Sequence, residues 1–544
     1  MNSLWVVLFS FSLFIIGYIF YSRRLERLWG IDPSRETPAE SKYDGTDYVP
    51  AKHWLVLFGH HFSSIAGAGP ILGPVIATML WGWVPTVLWL VLGSIFLGGV
   101  HDFSALVASL RTGGKSIADV CEVTMSRRAK MIFAAFIWLT LVLVISVFAA
   151  AAAKTLSTTP EVVIPTFGLV VVAIIVGILL YKLKLSLPVV TLIGIAMLFG
   201  LIVMGYNYPI NLGPNSFNIW LLVLFVYAYI ASVLPVNILL QPRDYLAAFV
   251  LFFGLVAGYI GLFLTHPQIH APAYISFSSS KGGLWPMMFV IVACGAISGF
   301  HSLVSSGTTS KQLASERDAR KIGYGAMITE SILAVLATLS VAAGLYWSGG
   351  PKGLVYPELM KGGNWIKTFG TGYGQIVKPL FGVFGLLIGI TMLKTFIMTT
   401  LDTATRIARY VGQELFGEGL GLGLISSKYI STTIIILFAF YLSLGAWQSI
   451  WPIFGASNQL VAALALFVAS TFLISIMGKN SLYTLIPAII MLLTTVAAII
   501  SELGHFIPEG KVLLSAIGVA LLVLTAVLLK DIFKVVFGKK NGRS

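Results

Sequence analysis

Long apolar stretches alternate with short polar ones along the whole chain. A spanning helix needs about 20 mostly apolar residues. Fifteen stretches meet that need: 3–21, 54–77, 81–110, 131–153, 163–181, 187–206, 217–240, 245–265, 285–304, 323–347, 375–400, 429–446, 451–477, 481–501 and 512–533. Strand-like alternation with turn chemistry does not recur, which argues against a membrane barrel. The pattern predicts an all-α, polytopic membrane protein of about 15 transmembrane helices. The longer polar connections, 22–52, 111–130, 266–284, 348–374 and 401–428, are too short to form domains of their own. The first stretch has the apolarity of a signal peptide but no basic residues ahead of it. Arg23-Arg24 stand where a small-residue cleavage site would be, so it is expected to remain as a helix.

Composition agrees with the pattern. Of 544 residues 57% are hydrophobic and 10% charged, against about 25% charged in soluble domains. The mean hydropathy is +0.92. A net charge of +14 would suggest nucleic acid as a partner of a soluble chain. Its placement points to lipid instead. With the N-terminus outside, 27 of the 35 Lys and Arg fall in cytoplasmic loops, seven fall outside, and Lys394 lies within a helix. This bias sets the orientation, with the C-terminus cytoplasmic. It directs the basic groups at the anionic leaflet of an inner membrane, leaving nucleic acid unnecessary. Cys121 and Cys294 are far apart and suggest no disulfide.

Three stretches break the helical pattern. Gly67-Ala68-Gly69-Pro70-Ile71-Leu72-Gly73-Pro74 places two prolines and three glycines in eight residues, which a regular helix does not tolerate. Free backbone at membrane depth is permitted only inside protein or beside a watery cavity. A milder break, or a packing kink, is expected near Ser232-Val233-Leu234-Pro235-Val236-Asn237. The two lie five helices apart on helices of opposite direction. That spacing suggests inverted five-helix repeats, 54–206 and 217–410, between an N-terminal part (1–53) and accessory helices (429–544). Substrate would then bind between the breaks, at Ala66, Gly67, Ala68, Gly69, Ser232 and Asn237. The third stretch ends the 285–304 segment with Ser305, Ser306, Thr308 and Thr309. Hydroxyls with helix carbonyls suit Na⁺ or a proton site; small interhelical contacts are the alternative.

Ionisable groups at membrane depth are costly and therefore functional candidates. His60-His61 precede the first break, His101-Asp102 follow, and His301, Glu330 and Lys394 lie in later helices. His61, His101, Asp102 and Glu330 are candidates for proton coupling, since histidine titrates near neutrality. Neighbouring side chains point apart on a helix, so His101 and Asp102 are expected to bond to different helices. Glu330 and Lys394 could instead pair with each other. Asp402 and Arg406, four apart, read as a helix-end ion pair. No phosphate loop, nucleophile elbow or zinc-ligand spacing occurs, so neither an enzyme, a resident metal nor an organic cofactor is expected.

The same residues carry a resemblance. Phe58-Gly59-His60-His61-Phe62, Ile65-Ala66-Gly67-Ala68-Gly69-Pro70, Gly98-Gly99-Val100-His101-Asp102-Phe103 and Gln241-Pro242-Arg243-Asp244-Tyr245 look like signatures of the carbon starvation protein CstA family. So do Ser298-Gly299-Phe300-His301, Ser305-Ser306-Gly307-Thr308-Thr309, Thr329-Glu330-Ser331 and Phe454-Gly455-Ala456-Ser457-Asn458-Gln459-Leu460. At residues 98–99 the chain has Gly-Gly where the family more often has Gly-Ala. The resemblance implies the inverted-repeat core of LeuT-like and amino acid–polyamine–organocation transporters. It also implies cation-coupled import of peptides or pyruvate when carbon is scarce. A passive channel or a membrane starvation sensor is the alternative; no loop is large enough for a signalling domain.

Overall fold

In the computed structural model, residues 1–537 are described except 46, 180–182, 235–239 and 446. All fifteen apolar stretches fall in predominantly helical segments. Among the described residues, twelve helices are long and apolar enough to cross a membrane, and the bent pair at the first break makes thirteen. The remaining two stretches are helical but interrupted (284–307) or short (Lys428–Ser443). A two-residue antiparallel hairpin pairs β1 (Ser278–Ser279) with β2 (Gly282–Gly283).

The helices used below are α1 (Ser3–Trp29), α2 (Trp54–Ile65), α3 (Gly69–Trp81), α4 (Trp83–Arg111), α5 (Arg127–Thr158), α6 (Pro160–Gly177), α7 (Leu187–Asn207), α8 (Ser216–Val233) and α9 (Leu240–Thr265). Then come α10 (Gly299–Gly307), α11 (Gly325–Ala342), α12 (Trp365–Ile376), α13 (Gly385–Gly412), α14 (Lys428–Ser443), α15 (Trp447–Ser475), α16 (Leu482–Phe506) and α17 (Val512–Phe537).

The first break stands where the Gly and Pro cluster predicts it. α2 stops at Ile65, Ala66 turns out of helix (φ −76°, ψ 77°), and α3 restarts at Gly69 with a 45° bend. Pro70 occupies the first turn of α3, where its missing N–H costs nothing, while Pro74 lies inside it and cannot donate to the Pro70 carbonyl. Residues 66–74 are buried in protein rather than pressed against lipid. The Ser64 carbonyl, freed by the break, accepts the Thr400 hydroxyl of α13 at 3.3 Å.

A second break lies at Ile297–Ser298, both extended (ψ 133° and 131°), between the 293–296 turn and α10. It packs against the first. A Cβ on Gly69 would come within 2.3 Å of Cys294 Sγ. This is the ninth apolar stretch, not the seventh. The expected break at 232–237 begins as foreseen, with α8 ending at Val233 and Leu234 extended. Pro235, Val236 and Asn237, however, lie outside the described residues. Ser232 is not brought to the first break: its hydroxyl faces Thr432 of α14 at 3.4 Å.

Two further expectations change. The connection 348–374 is not simply a loop, because α12 forms in it and packs on α13 and α11. Nor is everything beyond residue 429 accessory. α15 is the most buried span, with 94% of its apolar window inside protein, against 44% for α16 and 33% for α17.

Candidate functional site

Four elements converge behind the two breaks. His101 Nδ1 and Asp102 Oδ1, both on α4, lie 2.7 Å apart. The other carboxylate oxygen of Asp102 meets Nδ1 of His301 on α10 at 2.8 Å. His301 Nε2 lies 3.1 Å from Glu330 Oε2 on α11, at ion-pair distance but poor hydrogen-bond angle. All four side chains are fully enclosed. The result is a line of close polar contacts, His101–Asp102–His301–Glu330, across three helices. Adjacent His101 and Asp102 do bond to each other, against expectation. The carboxylate bridges its neighbour and a second helix at once, because its two oxygens point in different directions.

His61 on α2 approaches the same region through Thr309, its Nδ1 lying 2.7 Å from Oγ1. Its Nε2, the Nε2 of His101 and the Ser305 hydroxyl are buried without a protein partner. The other hydroxyls are engaged with their own helix. Ser306 donates to the Ser302 carbonyl at 2.7 Å and Thr308 to that of Val304 at 3.0 Å. Five residues beyond His301 on α10, Ser306 lines a pocket of about 180 Å³ together with Ser116, Asp119, Lys311 and Tyr410. The chain before α2 straps its edge, with Val49 N–H donating to the Lys311 carbonyl and Ala51 N–H to that of Gln312.

A second buried cluster went unrecognised in the sequence. His60 Nδ1 binds Asp244 Oδ2 of α9 at 2.8 Å. Arg243 bonds Asp244 through Nε (3.1 Å) and Asp402 of α13 through Nη2 (3.1 Å), with a second, closer contact from Nη1 to Asp402. Tyr227 of α8 donates to Asp402 at 2.8 Å. Arg243 is 1% exposed and Asp244 0%, so neither is the solvated loop residue that hydropathy implied. Asp402 therefore does not pair with Arg406, which donates to the carbonyls of Ala231 and Leu234 at the end of α8. Glu330 and Lys394 are not partners either, since Lys394 donates to the Ala152 carbonyl of α5 at 2.9 Å. The Gln-Pro-Arg-Asp-Tyr run between apolar stretches was the available signal for this cluster: a charged pair that close to a span end is as easily buried as exposed.

Asn458 of α15 serves the second break. Its Oδ1 accepts from the Phe300 N–H at 2.8 Å and its Nδ2 donates to Ser298 Oγ at 2.9 Å. It thereby caps an α10 N-terminus that would otherwise bury bare donors. α15 lies so close that a Cβ on Gly299 would be 2.1 Å from the Asn458 carbonyl. Replacing Asn458 by Ala strands one N–H and one hydroxyl, at a cost of about 1–3 kcal/mol. The detergent-solubilised Asn458→Ala protein is expected to unfold at lower temperature than wild type, and Asn458→Asp, which keeps the acceptor, in between. Equal melting of all three would deny the capping role.

The site has the architecture of a buried, titratable core around interrupted helices. A family model described as carbon starvation protein CstA matches residues 2–371 and 357–498. The chain belongs to the carbon starvation protein CstA family. Among curated relatives, the pyruvate/proton symporter BtsT of Escherichia coli (strain K12) is 31% identical over 586 residues, covering 92% of this chain and 81% of that protein. The peptide transporter CstA of Helicobacter pylori (strain J99) is 32% identical over 568 residues, covering 91% and 81%. Among solved structures, the manganese transporter of Eremococcus coleocola superposes with a TM-score of 0.54 at 14% identity, over 90% of this chain and 99% of that one. At that identity the likeness is one of fold. Among the described residues of this CstA-family chain, no group of three or more His, Cys, Asp or Glu could hold a metal ion.

Proposed function

We propose that this chain is a secondary active importer of a small carboxylate carbon source, pyruvate or a short peptide, driven by the proton gradient across the inner membrane and used when carbon is scarce. The observation that carries the reading is the His101–Asp102–His301–Glu330 line beside the two breaks. With both carboxylates ionised and both imidazoles neutral, the line holds two negative charges in a medium where unpaired charge is prohibitive. A bound proton removes part of that penalty. Its loss would restore the penalty and favour an arrangement that admits water. The line can thus tie proton occupancy to opening and closing around interrupted helices. His61 and His101, each with a buried ring nitrogen free of protein partners, are the groups placed to pass the proton on. The names of the curated relatives support the solute class and, for one of them, the coupling ion.

Sodium is the weaker reading. Of the four hydroxyls expected to bind it, Ser306 and Thr308 donate to their own helix and Thr309 faces His61. We place the N-terminus outside and the C-terminus in the cytoplasm on the basic-residue bias. Purified protein in liposomes tests the function with labelled pyruvate and labelled dialanine. The expected result is accumulation of at least one solute under an inward proton gradient, abolished by a protonophore and indifferent to sodium. Uptake that only equilibrates would indicate a channel, and sodium-dependent accumulation would reassign the ion.

A further inference from the structure

Lys394 is a buried basic residue that neither cluster uses. It lies well inside α13, 1% exposed, and its ammonium has the Ala152 carbonyl of α5 as hydrogen-bond acceptor. That carbonyl belongs to an uninterrupted helix and already receives the ladder N–H four residues on. Among the described residues, no carboxylate comes within ion-pair distance of Lys394. Arg406 and Arg409 also lack a carboxylate, but each is compensated otherwise. Arg406 takes two helix-end carbonyls, and Arg409 lies over the Tyr410 ring at 4.4 Å.

A second observation lies one turn away. Thr391, on the same face of α13 three residues earlier, is 6% exposed and its hydroxyl has no protein partner. The pair sits beside the first break. Thr400 of α13 holds the Ser64 carbonyl, and Lys394 stands six residues before it on that helix, about 9 Å at 1.5 Å per residue. On α5, Phe148 packs where a Gly67 Cβ would stand, 2.8 Å away, and Ala152 is one turn on. Asp402, with Arg243, lies on the other side of Thr400 along α13. Lys394 and the Arg243 cluster thus flank the break from opposite sides. An amine without a counter-charge and a free hydroxyl, enclosed beside interrupted backbone, are groups that a carboxylate would satisfy. Burying an ammonium is costly until a counter-charge arrives.

We propose that Lys394, aided by Thr391, receives the carboxylate of the transported solute. This rests on the importer reading above and adds the residue that recognises what pyruvate and peptides share. The solute would supply the charge the ammonium lacks, so its binding and the closing of protein around it favour each other. It would release as proton loss reopens the core.

The test combines melting with transport in wild type, Lys394→Met, Lys394→Arg and Thr391→Val. In wild-type liposomes, unlabelled pyruvate and dialanine should compete with labelled substrate, whereas methyl pyruvate, the uncharged ester, should not. Lys394→Met should melt no lower than wild type, because a buried unpaired charge has gone. It should lose the melting shift that pyruvate gives wild type, and its KM should rise by roughly 30-fold or more, the scale of a lost buried charge-assisted bond. Lys394→Arg should recover part of the affinity, and Thr391→Val should raise KM about fivefold, the scale of one lost hydrogen bond. A KM in Lys394→Met within threefold of wild type, or equal competition by methyl pyruvate, overturns the assignment and leaves the importer intact. Should Lys394→Met not fold, an unchanged KM in Thr391→Val overturns it instead. Wild type that takes up neither solute removes the importer reading and this proposal together.

Discussion

Asp102→Asn is expected to lower gradient-driven accumulation by about 100-fold or more, the lower end of what a positioned proton-transfer group contributes. Exchange of labelled for unlabelled solute across the same membrane should survive. Asp102 is the centre of the buried line, its two oxygens bonded to His101 on one side and His301 on the other. An amide keeps the shape but removes the charge that lets either imidazole carry a proton. Its –NH₂ end can only donate, so one of the two histidine contacts must also change its donor and acceptor roles. Exchange needs alternating access but no net proton movement. Accumulation needs both. Loss of both activities together would mark Asp102 as structural; retention of both would dismiss the line as the coupling device. The variant is read alongside its melting temperature, so that loss of fold is not mistaken for loss of coupling.

Arg243→Met is expected to be the most destabilising single change at the core, by about 3–5 kcal/mol, the usual result of leaving a buried charge without its partner. Arg243 holds Asp244 and Asp402 at once, on helices α9 and α13, with all three side chains enclosed. Without it, two carboxylates face each other with His60 and Tyr227 as their remaining polar partners in the cluster. The compensating change is Asp402→Asn. The double variant Arg243→Met/Asp402→Asn should recover part of the loss, since one of the two stranded charges is gone, and the pair should be clearly non-additive. Thermal unfolding in detergent across the four proteins of this cycle measures the coupling. Additive effects would mean that the ion pair contributes little.

The contrast between the two clusters shows what could be read from residue order. His101-Asp102, His301 and Glu330 stand out as charges within apolar runs, which is a signal any hydropathy pattern carries. That they form one line depends on α4, α10 and α11 meeting, and no spacing along the chain encodes it. Arg243 and Asp244 fall between two apolar stretches and so counted as a loop, although the helix runs through them and buries them. Asp402 and Arg406 have ideal spacing for an ion pair, yet each finds a better partner on another helix. A buried Arg243 offers Asp402 two charged contacts, while the end of α8 offers Arg406 free carbonyls. Asn458 is a polar residue in an apolar helix. Its role as cap appears only because α15 lies against the second break.

Residue order by itself determined the class of protein, its succession of apolar helices, the first break at residues 66–74 and the ionisable groups of the His101–Asp102–His301–Glu330 line. These follow from local physics: apolar length against bilayer thickness, and the inability of Pro and Gly runs to sustain a helix. The tertiary structure alone decided which break faces the first, that α15 belongs to the core, and how His60, Arg243, Asp244 and Asp402 assemble. In an apolar medium each buried polar group must find a partner wherever one exists, and the contacts that join the helices here, His60 with Asp244, Arg243 with Asp402 and Phe300 with Asn458, link residues 158 or more apart in the chain.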